Sequence, residues 1–478
     1  MNELPLPRIL GRDSGLYIDH YELTMAQGYF LGGRKDTPAV FDYYFRKIPF
    51  EGGFVIFAGL EELLATLQEF RFGETACNYL AHLGFDRDFI SYLESFRFSG
   101  DVHSVEEGEV VFPEEPCVRV EGNIIETQLV ETLLLNILNF NSLIATKAAR
   151  IRLAAGERLL VDFGLRRAQG LGGIQASRAA ILGGFDQTSN VYSACYYGLE
   201  SSGTMAHSWI QSFDDELTAF RSYAEMFPDR CILLVDTYNT LKSGIPNAIR
   251  VGLEMKERGN QLTGIRLDSG DLAYLSKESR RMLDEAGLND VQIIVSNQLD
   301  EYVIKSLNEQ GAPVDVFGVG TALATGKGAG ALDGVYKISM VDGTPTLKVS
   351  DHMKKSNLPG RKSIYRFRDE SGNFVADGIA LEDEPEFDFI CHPFEAGKKL
   401  DISGYRKEKL SNKVMDHGNL LLKRSEVAHI ARRVRSGLGD LPVEHKRFMN
   451  PHIYKVGISG KLLDLRERLR NEKMKKYR

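Results

Sequence analysis

Six short apolar runs, each stopping on a polar or ionisable residue, constrain this chain more than any other feature. They are Arg158–Arg166, Gly203–His207, Cys231–Asp236, Gly264–Asp268, Val291–Asn297 and Val314–Thr321. A parallel strand covered on both faces reads as a Val/Ile/Leu run, and in a β/α barrel the residue at its C-terminal end points into a shared mouth. A spacing of roughly 25 to 35 residues between most runs leaves room for one crossover helix each time. The expected fold class is α/β, with Arg166, His207, Asp236, Asp268, Asn297 and Thr321 presented to one cleft. That set suits a polyanionic substrate with a metal ion, and a histidine able to act as nucleophile or proton carrier.

The chain of 478 residues has room for two or three domains. Residues 1–140 alternate helix-like and strand-like stretches without a βα repeat: helices at Tyr21–Phe30 and Gly59–Leu67, strands at Ala39–Phe45 and Val118–Asn123. This pattern predicts an α+β domain. A helical segment over Ile125–Ala155 leads into the barrel, assigned to 141–332. In 333–478, Gly334–Val341 and Pro345–Ser350 flank Asp342-Gly343, a hairpin turn signal. That β-rich segment, ending in a helical tail, is expected to pack with the N-terminal domain as one discontinuous α+β unit.

A net charge of -7 argues against nucleic acid as a partner. The five cysteines are scattered without CxxC spacing, which fits a reducing cytosol. No apolar run approaches the ~18 residues of a membrane span, and Met1–Pro7 lacks a signal-peptide pattern. A cytoplasmic protein is expected.

Three motifs carry chemistry. Gly318–Gly330 is rich in glycine and hydroxyls and reads either as a phosphate cradle or as a flexible glycine loop; its spacing is not that of a Walker A motif. In Arg266–Asp271, alternation puts Arg266 and Asp268 on one side of a strand, with Asp271 at the following loop. The carboxylates either hold hydrated Mg²⁺ beside a diphosphate, or form a salt bridge plus a helix cap at Ser269 or Asp271. Arg166 and Arg167 follow Phe163, where a guanidinium can stack on a flat ring or pair with a carboxylate.

At these residues the chain resembles the nicotinate phosphoribosyltransferase family. The resemblance runs through Asp19–Met25, Phe45–Phe50, Ser142–Arg150, Gly164–Gly170, Gly184–Asn190, Gly203–Ser208, Arg266–Asp271, Gly320-Thr321 and Asn450–Tyr454, nearly the whole chain. It implies a type II phosphoribosyltransferase fold, an irregular β/α barrel with a discontinuous α+β domain. It also implies a homodimer with active sites at the subunit boundary, and the substrates nicotinate, phosphoribosyl diphosphate and ATP with Mg²⁺. Tyr21 would reach the pyridine ring from the neighbouring subunit, and Thr204 and Arg266 would contact nicotinate, with Phe163, Arg166 and Ser189 beside them. Gly320 and Thr321 would bind the ribosyl phosphate, with Asn297 on the phosphoribosyl diphosphate side. His207 matches the histidine that ATP phosphorylates. Asp236 and Asp268 match acidic positions near ribose and diphosphate, with Asp268 and Asp271 as candidate Mg²⁺ ligands.

The nearest alternative is nicotinamide phosphoribosyltransferase, which places an aspartate to accept from the amide. The matching position here is Ser189, whose hydroxyl can donate to a carboxylate, although Asp186 lies close in sequence. Quinolinate phosphoribosyltransferase has no use for the histidine motif, and a barrel aldolase needs a strand lysine that the runs lack. The remaining alternative is a noncatalytic scaffold binding a phosphate ligand.

Overall fold

Five of the apolar runs contribute parallel strands to one sheet. Its order is Gln187–Thr188, Leu159–Asp162, Val316–Val319, Gln292–Ser296, Gly264–Leu267 and Ile232–Leu234. The computed structural model of the chain describes residues 4–349, 357–395 and 397–477. This sheet belongs to a compact unit of residues 147–327. Strand Gly264–Leu267 is buried throughout, as a strand covered on both faces should be. Helices Ile245–Glu257, Leu272–Glu285 and Glu301–Glu309 link successive strands, and the last two are capped by Asp271 and Asp300.

The sixth run departs from expectation. Gly203–His207 forms no strand: among the described residues the ladder contact nearby is a single bridge between Thr188 and Ser201, and His207 opens the short helix His207–Gln211. The neighbouring edge strand is two residues long, too short to carry a ladder onward. A side chain takes over that linkage, because Arg266 Nη1 donates to Thr204 Oγ1 at 3.0 Å and to the Met205 carbonyl at 3.4 Å. His207 therefore stands at a helix start, not a strand end. The short strand Gln187–Thr188 has no apolar run to announce it. The long helix is two, Ile124–Leu129 and Glu131–Ala155.

The other compact unit joins both chain ends, 1–146 with 328–478. In its seven-stranded sheet, Pro38–Phe45 pairs with Val118–Asn123 on one side and with Gly334–Val341 on the other, all antiparallel. The hairpin after Gly334–Val341 turns through Asp342 and Gly343 at φ 48° and 70°, the left-handed pair that matches strand twist. Its second strand is Thr344–Pro345, and Ser350 lies outside the described residues. A six-stranded sheet is built from the C-terminal segment, and Gly460–Tyr477 forms the helical tail.

Within that second sheet Arg366 is fully buried. Its Nε and Nη2 donate to the two oxygens of Asp377 at 3.0 and 2.6 Å, Nη2 also to the Val110 carbonyl at 2.6 Å, and Nη1 to Glu109. Its guanidinium carbon lies 4.1 Å from the Phe374 ring centre. Helix His20–Leu31 of the same unit buries Glu22, which accepts from Thr132. Among the described residues no helix is long and apolar enough to cross a membrane.

Candidate active site

Arg266 organises the cleft at the C-terminal ends of the parallel strands. It is 9% exposed. Besides its bonds to Thr204 and Met205, its Nε donates to Ser296 Oγ at 2.9 Å and its Nη2 to Asp268 Oδ1 at 3.1 Å. The Phe163 ring centre lies 5.3 Å from the guanidinium carbon. One arginine thus ties three strand ends to the loop that replaces the missing strand.

Asp268 accepts from Arg266 and, through a short contact, from the Ser296 hydroxyl. Burial resists its ionisation, but the Ser296 hydrogen bond, Arg266 and His207 outweigh that and hold its carboxyl below the usual range. Its second oxygen lies 3.8 Å from His207 Nε2. His207 Nδ1 is bonded to Thr237 Oγ1 at 3.1 Å, which orients the ring with Nε2 toward Asp268. Asp236 Oδ2 accepts from Asp268 N at 2.8 Å and from Ser269 Oγ at 2.6 Å, while its Oδ1 is buried with no hydrogen-bond partner.

Phe163, Arg166, Arg266, Asp268, Asn297, Gly320 and Thr321 line one cleft of about 390 Å³. Thr204, His207 and Asp236 join it through the contacts above. Asn297 and Gln298 are consecutive non-glycine residues at φ 83° and 49°. Such strain, costing about 1–3 kcal/mol per residue, persists where a site demands it. Gly318 is glycine for a different reason from phosphate approach: a Cβ there would lie 2.4 Å from the Phe163 ring. At Gly320 a Cβ would meet the Phe163 carbonyl at 2.9 Å.

Three predicted residues lie elsewhere. Asp271 caps helix Leu272–Glu285 by accepting from Tyr274 N at 3.0 Å, and it is not among the residues lining the cleft. Ser189 follows strand Gln187–Thr188, and its N–H donates to the Asp162 carbonyl, which sets its backbone next to that of Phe163, although it is not among the residues lining the cleft. Tyr21 is half-exposed on helix His20–Leu31 of the other unit. Ser296, Thr237 and Lys327 escaped the sequence reading. Ser296 was legible as the residue before Asn297 in a strand where alternation separates the two, whereas Thr237 carried no pattern. Lys327 lines the cleft and donates to Asp300 at 3.1 Å.

Beneath the rim, Asp162 is buried, and that burial raises its carboxyl pKa against three hydrogen bonds that lower it. Asp186, the carboxylate nearest Ser189 in sequence, is held beside Leu160 instead: its N–H donates to the Leu160 carbonyl, and its side chain pairs with Arg152 at 2.5 Å.

Comparison with known proteins gives one answer along the chain. Residues 16–139 match the nicotinate phosphoribosyltransferase (NAPRTase) N-terminal domain, 159–397 the nicotinate phosphoribosyltransferase (NAPRTase) family and 361–466 the nicotinate phosphoribosyltransferase C-terminal domain. A Bacillus subtilis nicotinate phosphoribosyltransferase is 43% identical over 93% of this chain and 92% of its own length. The crystal structure of human nicotinic acid phosphoribosyltransferase superposes with a TM-score of 0.86 at 32% identity, covering 94% of this chain and 99% of that one. A nicotinate-nucleotide pyrophosphorylase from Pyrococcus furiosus shares the fold, with a TM-score of 0.71 at 24% identity over 89% of this chain and 95% of that one.

Proposed function

This chain belongs to the nicotinate phosphoribosyltransferase family, and from that premise we propose how its cleft makes nicotinate mononucleotide for NAD biosynthesis. The observation that carries the reading is Arg266: buried, stacked on Phe163, and bonded to a single carboxylate by one nitrogen, so that positive charge remains for an anionic ring substituent. Nicotinate lies against Phe163 with its carboxylate toward Arg266, Thr204 and Ser189, and Arg166 closes the rim. Tyr21 of a second copy covers the other ring face, so the working unit is a homodimer in the cytoplasm.

Phosphoribosyl diphosphate binds with its 5′-phosphate on Gly320 and Thr321 and its ribose near Asn297 and Asp236. The anomeric C–O bond breaks, diphosphate leaves with the electron pair, and the pyridine nitrogen lone pair forms the new C–N bond. Asp268 and Asp236 face the positive charge that develops on the ribose. The donor set fits a divalent cation shared with diphosphate, because Asp236 Oδ1 is buried without a partner next to Asp268. Asp236 with Asp268 would hold Mg²⁺, which would supply charge neutralisation for the leaving diphosphate, whereas Asp271 is committed to its helix cap. His207 Nε2 accepts the terminal phosphoryl group of ATP, releasing ADP; water later cleaves the P–N bond and frees phosphate.

An aspartate at the rim would mark preference for nicotinamide. Asp186 is instead paired with Arg152, and in this reading Ser189 takes that place. Product formation from phosphoribosyl diphosphate and Mg²⁺ tests the whole reading, with nicotinate or nicotinamide and with or without ATP. Nicotinate turnover stimulated by ATP, with the stimulation abolished by His207→Ala, is expected. Turnover of nicotinamide alone, or ATP stimulation that survives His207→Ala, overturns it.

A further inference from the structure

Four polar side chains form a closed hydrogen-bond network directly beneath the ring-recognising rim, and none of them lines the cleft. Asp162, Ser177, Thr188 and Asn190 are each 2% exposed or less. Asp162 ends strand Leu159–Asp162. Its Oδ1 accepts from Gly164 N at 2.7 Å, and its Oδ2 from Ser177 Oγ and Thr188 Oγ1, both at 2.8 Å. The donors come from three separate segments: the loop after its own strand, helix Gly172–Leu182 and the edge strand Gln187–Thr188. Asn190 closes the network. Its N–H donates to Thr188 Oγ1 at 3.0 Å, and its amide nitrogen lies 3.1 Å from both Ser177 Oγ and the Gly173 carbonyl.

A site needing only to be filled would hold valine or leucine here, since burying a carboxylate is costly unless every oxygen finds a donor. Each bond ends next to a residue of the rim. Gly164 follows Phe163, and Thr188 precedes Ser189, whose own N–H donates to the Asp162 carbonyl at 2.8 Å. The turn has no slack: a Cβ on Gly164 would meet Ala324 Cβ at 2.5 Å and Asp162 Oδ1 at 2.9 Å. Phe163 and Ser189 follow different strands, and this network ties the two strand ends together.

We propose that Asp162, Ser177, Thr188 and Asn190 are positioning residues that set the spacing between Phe163 and Ser189 and thereby the discrimination of nicotinate from nicotinamide. The inference rests on the nicotinate reading of the cleft and adds the device behind its selectivity. Thr188 is the sharpest probe, because valine keeps its shape and strand preference while removing one hydroxyl.

Wild type is measured first, by calorimetric binding of nicotinate and by turnover of both pyridines, and absence of nicotinate binding would remove the nicotinate reading of the cleft and this proposal together. With wild type active, Thr188→Val is expected to raise the KM for nicotinate about tenfold, because the residues it positions no longer meet the ring in register. The KM for phosphoribosyl diphosphate stays within about twofold, the preference for nicotinate over nicotinamide shrinks, and Thr188→Ser restores wild-type values. The proposal is overturned if Thr188→Val leaves the KM and preference unchanged, if Thr188→Ser is as impaired as Thr188→Val, or if both KM values and kcat shift together with a fall in Tm. Asp162→Asn gives a second reading on the same axis: it is expected to exceed Thr188→Val in its effect on nicotinate KM, and an unchanged KM in a folded variant overturns the positioning role.

Discussion

Arg266 and Arg366 are both buried, both rest on a phenylalanine, and both reach an aspartate, yet they are solved differently. Arg366 meets Asp377 with two nitrogens, Glu109 with a third contact and a backbone carbonyl besides, so two carboxylates surround one guanidinium. Arg266 spends its donors on hydroxyls and a carbonyl and meets one carboxylate through a single nitrogen. The first arrangement is electrostatically finished and can only hold the fold together. The second leaves positive charge facing a cleft, which in the proposed reading an anion completes.

The comparison breaks most visibly at Arg366. Removing one partner from a buried ion network leaves the others uncompensated, typically at about 3–5 kcal/mol. Arg366→Ala should therefore lower the unfolding midpoint steeply, and a variant as stable as wild type in denaturant titration would show the network to be dispensable. At Arg266 the expected loss is in binding. Arg266→Lys keeps charge but not the planar fork, so kcat/KM for nicotinate should fall about 100-fold with Tm within a few degrees of wild type. Comparable losses of stability at both sites would erase the distinction.

Glu22 sharpens it from the other side, as a buried carboxylate with one oxygen lacking any partner. Burial pushes its pKa up to about 7 from an ordinary 4.5, against the hydrogen bonds from Thr132. An acid whose folded pKa is raised binds more protons folded than unfolded, so its contribution is full at low pH and is lost as pH rises from 4.5 through about 7. Glu22→Gln should flatten that slope and be the more stable form at pH 8 by about 2 kcal/mol. Parallel pH–stability curves for the two proteins would contradict the assignment.

Much of this was legible because burial on both faces leaves a compositional trace. The runs ending at Asp236, Asp268, Asn297 and Thr321 became parallel strands, with Asp268, Asn297 and Thr321 lining the cleft and Asp236 bonded to Asp268. Alternation placed Arg266 beside Asp268, and the salt bridge it predicted is present at 3.1 Å. Asp271 formed the helix cap that was the other half of that reading. What stayed hidden depends on partners distant in sequence. Gly203–His207 looked like a strand because apolarity was visible and the missing ladder neighbour was not. Gly318 looked like a phosphate-cradle glycine, when the demand on it comes from a ring on the loop after another strand. Asp162 was passed over as one polar residue inside an apolar run, since its three donors lie in separate segments.

The absence of a methyl group at Gly318 gives the cleft a shared wall. Space that a side chain on the sheet would occupy belongs to Phe163, which is carried by a loop. The width of the pocket is then a volume traded between two positions: an alanine at 318 must displace the ring, and a smaller side chain at 163 opens room that the glycine cannot refill. Redesign toward a bulkier heteroaromatic should alter the pair as one unit, shrinking 163 first and treating 318 as the fine adjustment.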